Sequence, residues 1–231
     1  MAGRARGARL AAALPFPVAA LADLTLLAAR LVPAAAAAVR GGLPWIVLRA
    51  RGASTEERVR LGRELLSLCP GLYLTVHGDP DACRELGAAG LHLPGTGFDV
   101  AAVRRAHPGV LLGVSCHGAA DVECASAAGA DYAFLSPLFA PTSKTSSSPP
   151  LGREGFRAVA SRSRLPLLAL GGIRPERLEA AAAAGAAGAA VLGDLFLAPD
   201  PMLRAVQYRR AAERTRWLAS TPSGHRRRRD L

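Results

Sequence analysis

The chain has 231 residues, half of them apolar, and carries a formal net charge of +11. This length supports one substantial hydrophobic core, so we expect a single domain. Asp23, Arg30 and Arg40 divide the apolar stretches before any of them reaches the ~18 uncharged residues that a membrane-spanning helix needs. We therefore expect no membrane-spanning segment.

Most of the excess positive charge lies near the C-terminus. Residues 202–231 contain nine arginines and two acidic residues, a net charge of +7. No aromatic side chains are interleaved with the arginine run at 226–229. We interpret the segment as a solvated terminal helix followed by a disordered arginine-rich tail, and a specific contact to nucleic acid or to a membrane is the alternative.

The four cysteines show neither a CxxC pair nor a histidine pair at zinc spacing, which favours a reduced, cytoplasmic protein. Residues 1–22 resemble a signal peptide, because three arginines precede an apolar stretch that ends in ALA. Pro15 and Pro17 interrupt that stretch, however, and cleavage would remove the first predicted strand. We therefore predict that this segment is retained.

Eight short apolar runs recur along the chain, and segments with helical spacing lie between most of them. The predicted strands are residues 18–22, 45–49, 72–76, 90–93, 111–115, 132–135, 167–170 and 189–192. The clearest helices are residues 54–69, 80–86, 100–106, 119–128, 154–161 and 175–184.

This alternation indicates a parallel sheet covered by helices. We predict a single-domain (β/α)8 TIM barrel at residues 13–203, with an N-terminal extension at 1–12 and a basic C-terminal helix and tail at 204–231. An open doubly wound sheet stays as the alternative, because the number of strands does not establish closure. In a barrel, the chemistry gathers at the C-terminal ends of the strands.

Glycine-rich turns follow the last two predicted strands. LALGGI at 168–173 ends in Gly171, Gly172 and Ile173, and VLGDLF at 191–196 contains Leu192 and Gly193. Glycines allow the backbone to approach a ligand, and the N–H groups at a helix start attract anions. These five residues are our candidate phosphate site, and the alternative is that the glycines only make tight turns.

Two further strand ends carry candidate site residues. His117 follows the fifth strand in GVSCHG and could exchange protons near neutral pH. Cys116 is a poor partner for it, because adjacent strand residues point to opposite faces. Arg49 and Arg51 end the second strand, where they could hold a phosphate or a carboxylate, although a solvated strand end is the alternative.

Lys144 is the only lysine of the chain and lies in the loop after the sixth strand, two residues after Thr142. A compact ammonium group can meet a phosphate as a point charge. The alternative is that a Ser- and Pro-rich loop kept a lysine without a role.

These motifs together resemble the superfamily of thiamine phosphate synthase and the TenI-type thiazole tautomerase. The resemblance covers about residues 18–196 and is carried by GLHLP, by GVSCHGAADVECASAAGADYAFLSPLF, by the Thr-Ser-Lys loop and by PLLALGGIRPERLEAAAAAGAAGAAVLGDLF. It implies an α/β barrel that binds a small phosphorylated heterocycle. In the synthase, the Thr-x-x-Lys loop contacts diphosphate, which implies that role for Thr142 and Lys144.

The sequence departs from the synthase pattern at the magnesium ligands. The family's Asn-Asp-Arg after the third strand is matched by His77, Gly78 and Asp79, and its Gly-Gln-Glu-Asp after the fourth by the stretch PGTG at 94–97. Both carboxylates that would hold magnesium are missing, and Asp79 and Asp99 are the nearest substitutes.

Because of this departure, our first expectation is a metal-independent thiazole tautomerase that needs no cofactor, with His117 as acid or base and Arg49 meeting a carboxylate. The second is a divergent synthase that uses Lys144 and Arg51 on diphosphate and requires magnesium. The third is a catalytically silent barrel that binds phosphorylated ligands, or a partner through its arginine-rich tail. The sequence leaves open whether the chain forms a homo-oligomer.

Overall fold

A computed structural model describes residues 14–140, 149–215 and 217 of the chain. The eight strands form one closed parallel barrel in which each strand pairs with its neighbours in sequence and β1 pairs with β8. The strands are β1 Val18–Asp23, β2 Trp45–Arg49, β3 Tyr73–His77, β4 Gly90–Leu93, β5 Leu111–Cys116, β6 Tyr132–Leu135, β7 Leu167–Ala169 and β8 Gly188–Val191.

The predicted TIM barrel is confirmed, and each predicted strand agrees with the structure to within one residue at either end. The open doubly wound alternative is wrong, because Val18, Ala19 and Ala20 of β1 pair with Ala189, Ala190 and Val191 of β8. That pairing closes the sheet and brings the carboxyl ends of all eight strands to one mouth.

Helices surround the barrel and cover its outer face. They are α1 Leu24–Leu27, α2 Leu31–Arg40, α3 Thr55–Leu68, α4 Pro80–Leu86, α5 Val100–Ala106, α6 Ala119–Ala127, α7 Gly152–Arg162, α8 Leu178–Ala183, α9 Gly193–Phe196 and α10 Pro201–Arg214, with short 3-10 turns at Ala28–Arg30 and Pro175–Arg177. Within the described residues, none of these helices has the length and apolarity that crossing a bilayer requires.

Helix α10 packs against α2 and contributes Ala205, Tyr208, Ala211 and Ala212 to the hydrophobic core. The predicted boundary between barrel and basic segment, at residues 203/204, falls inside this helix. The predicted extension at 1–12 and the arginine run at 226–229 lie outside the described residues, so the division of the chain into three segments stays a prediction.

Candidate functional site

Aromatic contacts across the barrel show which side chains face its interior. The rings of Trp45 on β2 and Tyr132 on β6 lie 5.4 Å apart. Strands β2 and β6 are not neighbours in the sheet, so these rings meet inside the barrel. Because side chains alternate along a strand, Arg49 also faces inward, four residues closer to the mouth than Trp45.

Arg49 is held at the mouth by an ion pair with Asp23. Its Nε lies 2.9 Å from Oδ2 of Asp23, and both side chains are mostly buried. The contact is electrostatic rather than an aligned hydrogen bond, because Nε makes no hydrogen bond within the described part of the chain. Oδ1 of Asp23 accepts hydrogen bonds from Thr25 N and Leu26 N and so caps α1. Asp23, at the end of β1, therefore orients the guanidinium of Arg49, at the end of β2.

Arg51 lies two residues farther along, where its side chain is exposed to solvent. Burial lowers the pKa of Arg49, and the nearby positive charge of Arg51 lowers it further against the opposing effect of Asp23. The two arginines thus form one positively charged side of the mouth, with Arg49 fixed and Arg51 exposed.

His77 ends β3 beside these arginines. Burial lowers its pKa to about 4, and the positive charges of Arg49 and Arg51 act in the same direction. The imidazole is therefore neutral near pH 7. His77 adds polar atoms to the mouth without adding charge.

A second histidine lies deeper, fully buried on β4. Nε2 of His92 lies 2.9 Å from the hydroxyl oxygen of Ser115 and Nδ1 lies 3.1 Å from that of Tyr132. Its ring stacks on Phe134, with ring centroids 4.0 Å apart. Burial holds its pKa well below the usual range. His92 is a neutral, hydrogen-bonded part of the barrel interior.

Gly113 makes room for this arrangement. A Cβ at this position would come within 2.1 Å of the Tyr132 ring and 2.5 Å of Nδ1 of His92, distances that real Cβ atoms do not show. Neither His92 nor Tyr132 was among our predicted site residues. The sequence signal that could have identified them is the glycine in GVSCHG, because a glycine inside a barrel strand marks a close approach by a neighbour.

His117 is exposed at the end of β5, as its place in the sequence predicts. Its Nδ1 lies 3.0 Å from the carbonyl oxygen of Ser136, the residue after β6. Since a carbonyl oxygen only accepts, Nδ1 carries the proton in the neutral ring and Nε2 holds the lone pair. No described residue bonds to Nε2. The thiol of Cys116 is buried, and burial raises its pKa to about 12, so it is no nucleophile for this histidine.

Two main-chain N–H groups of the β7 loop have no hydrogen-bond acceptor among the described residues. The carbonyl of Gly171 accepts from Phe139 N at 3.1 Å, and that of Gly172 accepts from Nη1 of Arg177 at 2.7 Å. Because N–H and C=O point in opposite directions across a trans peptide, the N–H groups of Gly172 and Ile173 point away from these partners. Neither N–H donates to another described residue.

Glycine is required at both positions of this loop. Gly171 and Gly172 have φ of +94° and +59°, and a Cβ on Gly172 would lie 2.5 Å from the carbonyl oxygen of Ala140. The loop after β7 therefore packs directly on the loop after β6. This packing explains the two glycines without a ligand, and it also fixes where the N–H groups of Gly172 and Ile173 lie.

The β8 loop supplies the second set of N–H groups. Leu192 precedes α9, and Gly193 is its first helical residue, whose N–H has no partner within a helix. Asp194 follows, and Arg204 and Tyr208 of α10 bind its carboxylate. The fold thus places the predicted phosphate residues on two adjacent loops, while Thr142 and Lys144 lie outside the described residues.

Asp79 and Asp99, the nearest substitutes for the missing magnesium ligands, both accept hydrogen bonds from other parts of the protein. Asp79 is buried and accepts hydrogen bonds from Ala82 N, Thr55 Oγ1 and Arg58 Nη1, at 2.9, 2.8 and 3.0 Å. Asp99 is exposed and caps α5 through Ala102 N. Across residues 14–140, 149–215 and 217, no three His, Cys, Asp or Glu side chains converge as a metal site would require. The donors present on β3 and β4 therefore do not fit a tightly held magnesium ion.

Residues 16–195 match the family described as thiamine monophosphate synthase. The chain belongs to this family. It is 33% identical over 175 residues to the thiamine-phosphate synthase of Chloroflexus aurantiacus, which covers 75% of this chain and 81% of that protein. It is 38% identical over 181 residues to the thiamine-phosphate synthase of Bordetella avium, covering 74% and 83%.

A solved structure of thiamine phosphate pyrophosphorylase from Pyrococcus furiosus has the same fold. It aligns with a TM-score of 0.77 at 23% identity and covers 88% of this chain and 98% of that one. The superfamily resemblance inferred from the motifs is thus confirmed, and thiamine biosynthesis is the pathway to which the family belongs.

Proposed function

We propose that the protein is a thiamine phosphate synthase, a transferase that joins a pyrimidine diphosphate to a thiazole phosphate. The observation that carries this proposal is the family match over residues 16–195, together with relatives of 33% and 38% identity that are named thiamine-phosphate synthase. These names favour the synthase over the tautomerase that we expected first from the sequence.

In the proposed reaction, the thiazole nitrogen forms a bond to the methylene carbon of the pyrimidine. The bond from that carbon to the diphosphate oxygen breaks, and its electron pair leaves with the diphosphate. The N–H groups of Gly172, Ile173 and Gly193 would hold the thiazole phosphate, since N–H groups presented by a glycine turn or by a helix start favour anions.

The leaving diphosphate gains negative charge as its bond breaks, and positively charged groups stabilise that charge. Arg49 is positioned for this role, because it ends β2 on the inward-facing side and the ion pair with Asp23 holds its Nε there. Arg51 adds a second positive charge, and Lys144 with Thr142 would add a third contact through the loop after β6. His77 stays neutral and allows the two arginines to lie close together.

Since the donors on β3 and β4 do not fit magnesium, we propose that the protein itself holds no tightly bound metal or other cofactor, so that any magnesium used in the reaction enters with the diphosphate substrate. Titration of the ligand-free protein with Mg²⁺ in a calorimeter should show no binding at micromolar concentrations. Saturable binding in that range would show that residues other than Asp79 and Asp99 provide a site.

We also propose a cytoplasmic location, in accord with four free cysteines.

The tautomerase is the second candidate, and one observation favours it. The proton on Nδ1 of His117 is directed to the carbonyl oxygen of Ser136, which leaves Nε2 as a base at an exposed strand end. A tautomerase needs such a base and needs no leaving-group cation.

One experiment separates the two candidates. Purified protein is incubated with pyrimidine diphosphate and thiazole phosphate, with magnesium and with a chelator, and separately with the thiazole carboxylate phosphate. Formation of thiamine phosphate is expected in the first incubation, the one that contains both the pyrimidine diphosphate and the thiazole phosphate. Isomerisation in the second without any thiamine phosphate in the first would replace the synthase by the tautomerase, and binding without either reaction would indicate a silent barrel.

A further inference from the structure

Helix α10 reaches both phosphate loops through one side chain. The ring of Tyr208 is fully buried, and its hydroxyl oxygen lies 2.9 Å from the carbonyl oxygen of Ile173 and 2.7 Å from Oδ2 of Asp194. Ile173 belongs to the β7 loop, and Asp194 directly follows Gly193 in the β8 loop. The hydroxyl carries one proton, which it can donate to either acceptor, so it lies at the junction of the two loops.

The main chain does not join these loops to each other. The ladder between β7 and β8 ends at the pair Ala169 and Ala189, before either loop begins. Among the described residues, no main-chain hydrogen bond connects residues 170–173 with residues 192–194. The distance between the two sets of N–H groups therefore depends on side chains.

Arg204, one turn before Tyr208 on α10, fixes the other side of this contact. Its Nε and Nη2 donate to Oδ2 and Oδ1 of Asp194, each at 2.9 Å. A forked pair of this kind sets both the position and the orientation of a carboxylate. It also neutralises a negative charge that would repel a phosphate bound at the adjacent Gly193.

We propose that Tyr208 and Arg204 are positioning residues for the phosphate site: they set the spacing of the β7 and β8 loops so that the N–H groups of Ile173 and Gly193 converge on one anion. This inference rests on the proposed function, because it assumes that the two loops hold the phosphate of the substrate. Without Tyr208 and Arg204 the spacing between the two loops would be set only when the ligand binds, and the cost of fixing that spacing would weaken binding.

The test compares two variants with matched controls. Tyr208→Phe keeps the buried ring and removes the hydroxyl, and Arg204→Gln removes the forked pair. Tyr73→Phe is the control for the first, because the Tyr73 hydroxyl also donates to a carbonyl, that of Ala89, but lies at the start of β3, away from the mouth. Arg63→Gln, which breaks the surface pair with Glu85, is the control for the second.

Each protein is titrated with inorganic phosphate, and KM and kcat are measured with thiazole phosphate in the synthase assay. Both Tyr208→Phe and Arg204→Gln should bind phosphate about tenfold more weakly, the usual effect of losing a hydrogen bond to a charged group. KM should rise by the same factor while kcat changes less than about threefold, and both controls should match the wild type. Thermal unfolding of all five proteins gives the folded fraction in each assay.

Phosphate affinities of the two variants equal to that of the wild type would overturn the proposal, as would a weakening that loss of folded protein accounts for. A fall in kcat at constant KM would also overturn it, because loop spacing acts on phosphate binding. If the wild-type protein itself bound no phosphate, the phosphate site under the proposed function would be wrong and this inference with it. Normal phosphate binding by both variants would leave that proposed function intact.

Discussion

His117 is the residue whose substitution best separates the two candidate reactions. Joining the pyrimidine to the thiazole nitrogen requires no proton transfer to the ring, whereas tautomerisation does. We expect His117→Asn to form thiamine phosphate at a rate within about tenfold of the wild type. Any isomerisation of the thiazole carboxylate phosphate should fall about a hundredfold or more. Isomerisation at the full rate would show that His117 has a structural role only.

Substitution of Gly172 tests whether the β7 loop binds phosphate. An alanine there would have both a left-handed φ and a Cβ 2.5 Å from the carbonyl oxygen of Ala140, so the loop must shift. Gly71→Ala is the matched control, because Gly71 has a φ of +82° but open space around its Cβ position. Both variants should lose about 1 kcal/mol of stability to backbone strain. Only Gly172→Ala should bind inorganic phosphate at least tenfold more weakly, and equal phosphate affinities would contradict the proposed site.

The lowered pKa of His77 predicts that the stability of the folded protein depends on pH. Its pKa is about 4 in the folded protein and about 6.5 in the unfolded chain. Below pH 6.5 the unfolded chain binds a proton that the folded protein does not, so stability falls as the pH drops from about 6.5 to about 4. The loss should approach about 3 kcal/mol.

Urea unfolding at pH 7.5 and pH 5 measures this effect, with His77→Gln as the comparison. The wild type should lose more stability between the two values than the variant, which has no group titrating at that position. Equal losses would mean that the His77 ring is more hydrated than its burial indicates.

At the scale of secondary-structure elements, the strands were predictable and the helices only in part. Each strand is a short, nearly continuous apolar run, which is typical of a parallel sheet buried on both faces. Helix α2 was not predicted, because its run of alanines, with Pro33 in the first turn, shows little contrast between apolar and polar positions. Helix α10 was interpreted as a solvated segment because of its arginines, whereas its alanines and Tyr208 face the core.

Asp79, the N-cap of helix α4, should stabilise the fold in a way that depends on pH. Burial alone would raise the pKa of Asp79, but hydrogen bonds from Ala82, Thr55 and Arg58 outweigh it and lower the pKa. Asp79 therefore stabilises the fold fully above its unfolded pKa, near 4, and this contribution is lost as the pH falls below that value. Asp79→Ala should cost about 2 kcal/mol at pH 7, measured by urea unfolding.

Asp99→Ala is the control for this cap, because Asp99 is exposed and accepts one hydrogen bond to α5. It should cost about 0.5–1 kcal/mol. The synthase rate and its response to magnesium should be unchanged in both variants. A selective loss of the magnesium response in Asp79→Ala would show that this carboxylate binds the metal during the reaction.

In the whole molecule, closure of the barrel brings together residues whose contacts could not be predicted from the sequence. The pairing of β1 with β8 joins residues about 170 positions apart, and the rings of Trp45, His92 and Tyr132 meet only because the sheet closes. The local motifs predicted His117 and the glycine loops, since each lies beside its own strand. They could not predict Asp23 as the partner of Arg49, or Tyr208 as the partner of Ile173.

We propose that backbone N–H groups of two loops anchor the phosphate of a thiazole that the protein then joins to a pyrimidine. The most direct test is kcat/KM for the thiazole phosphate compared with the same thiazole lacking its phosphate, both with pyrimidine diphosphate as the second substrate. We predict a preference of about a hundredfold or more for the phosphorylated thiazole, since several charge-assisted hydrogen bonds are lost with the phosphate. Equal values for the two thiazoles would contradict the phosphate anchor, and no joined product from either would contradict the synthase activity.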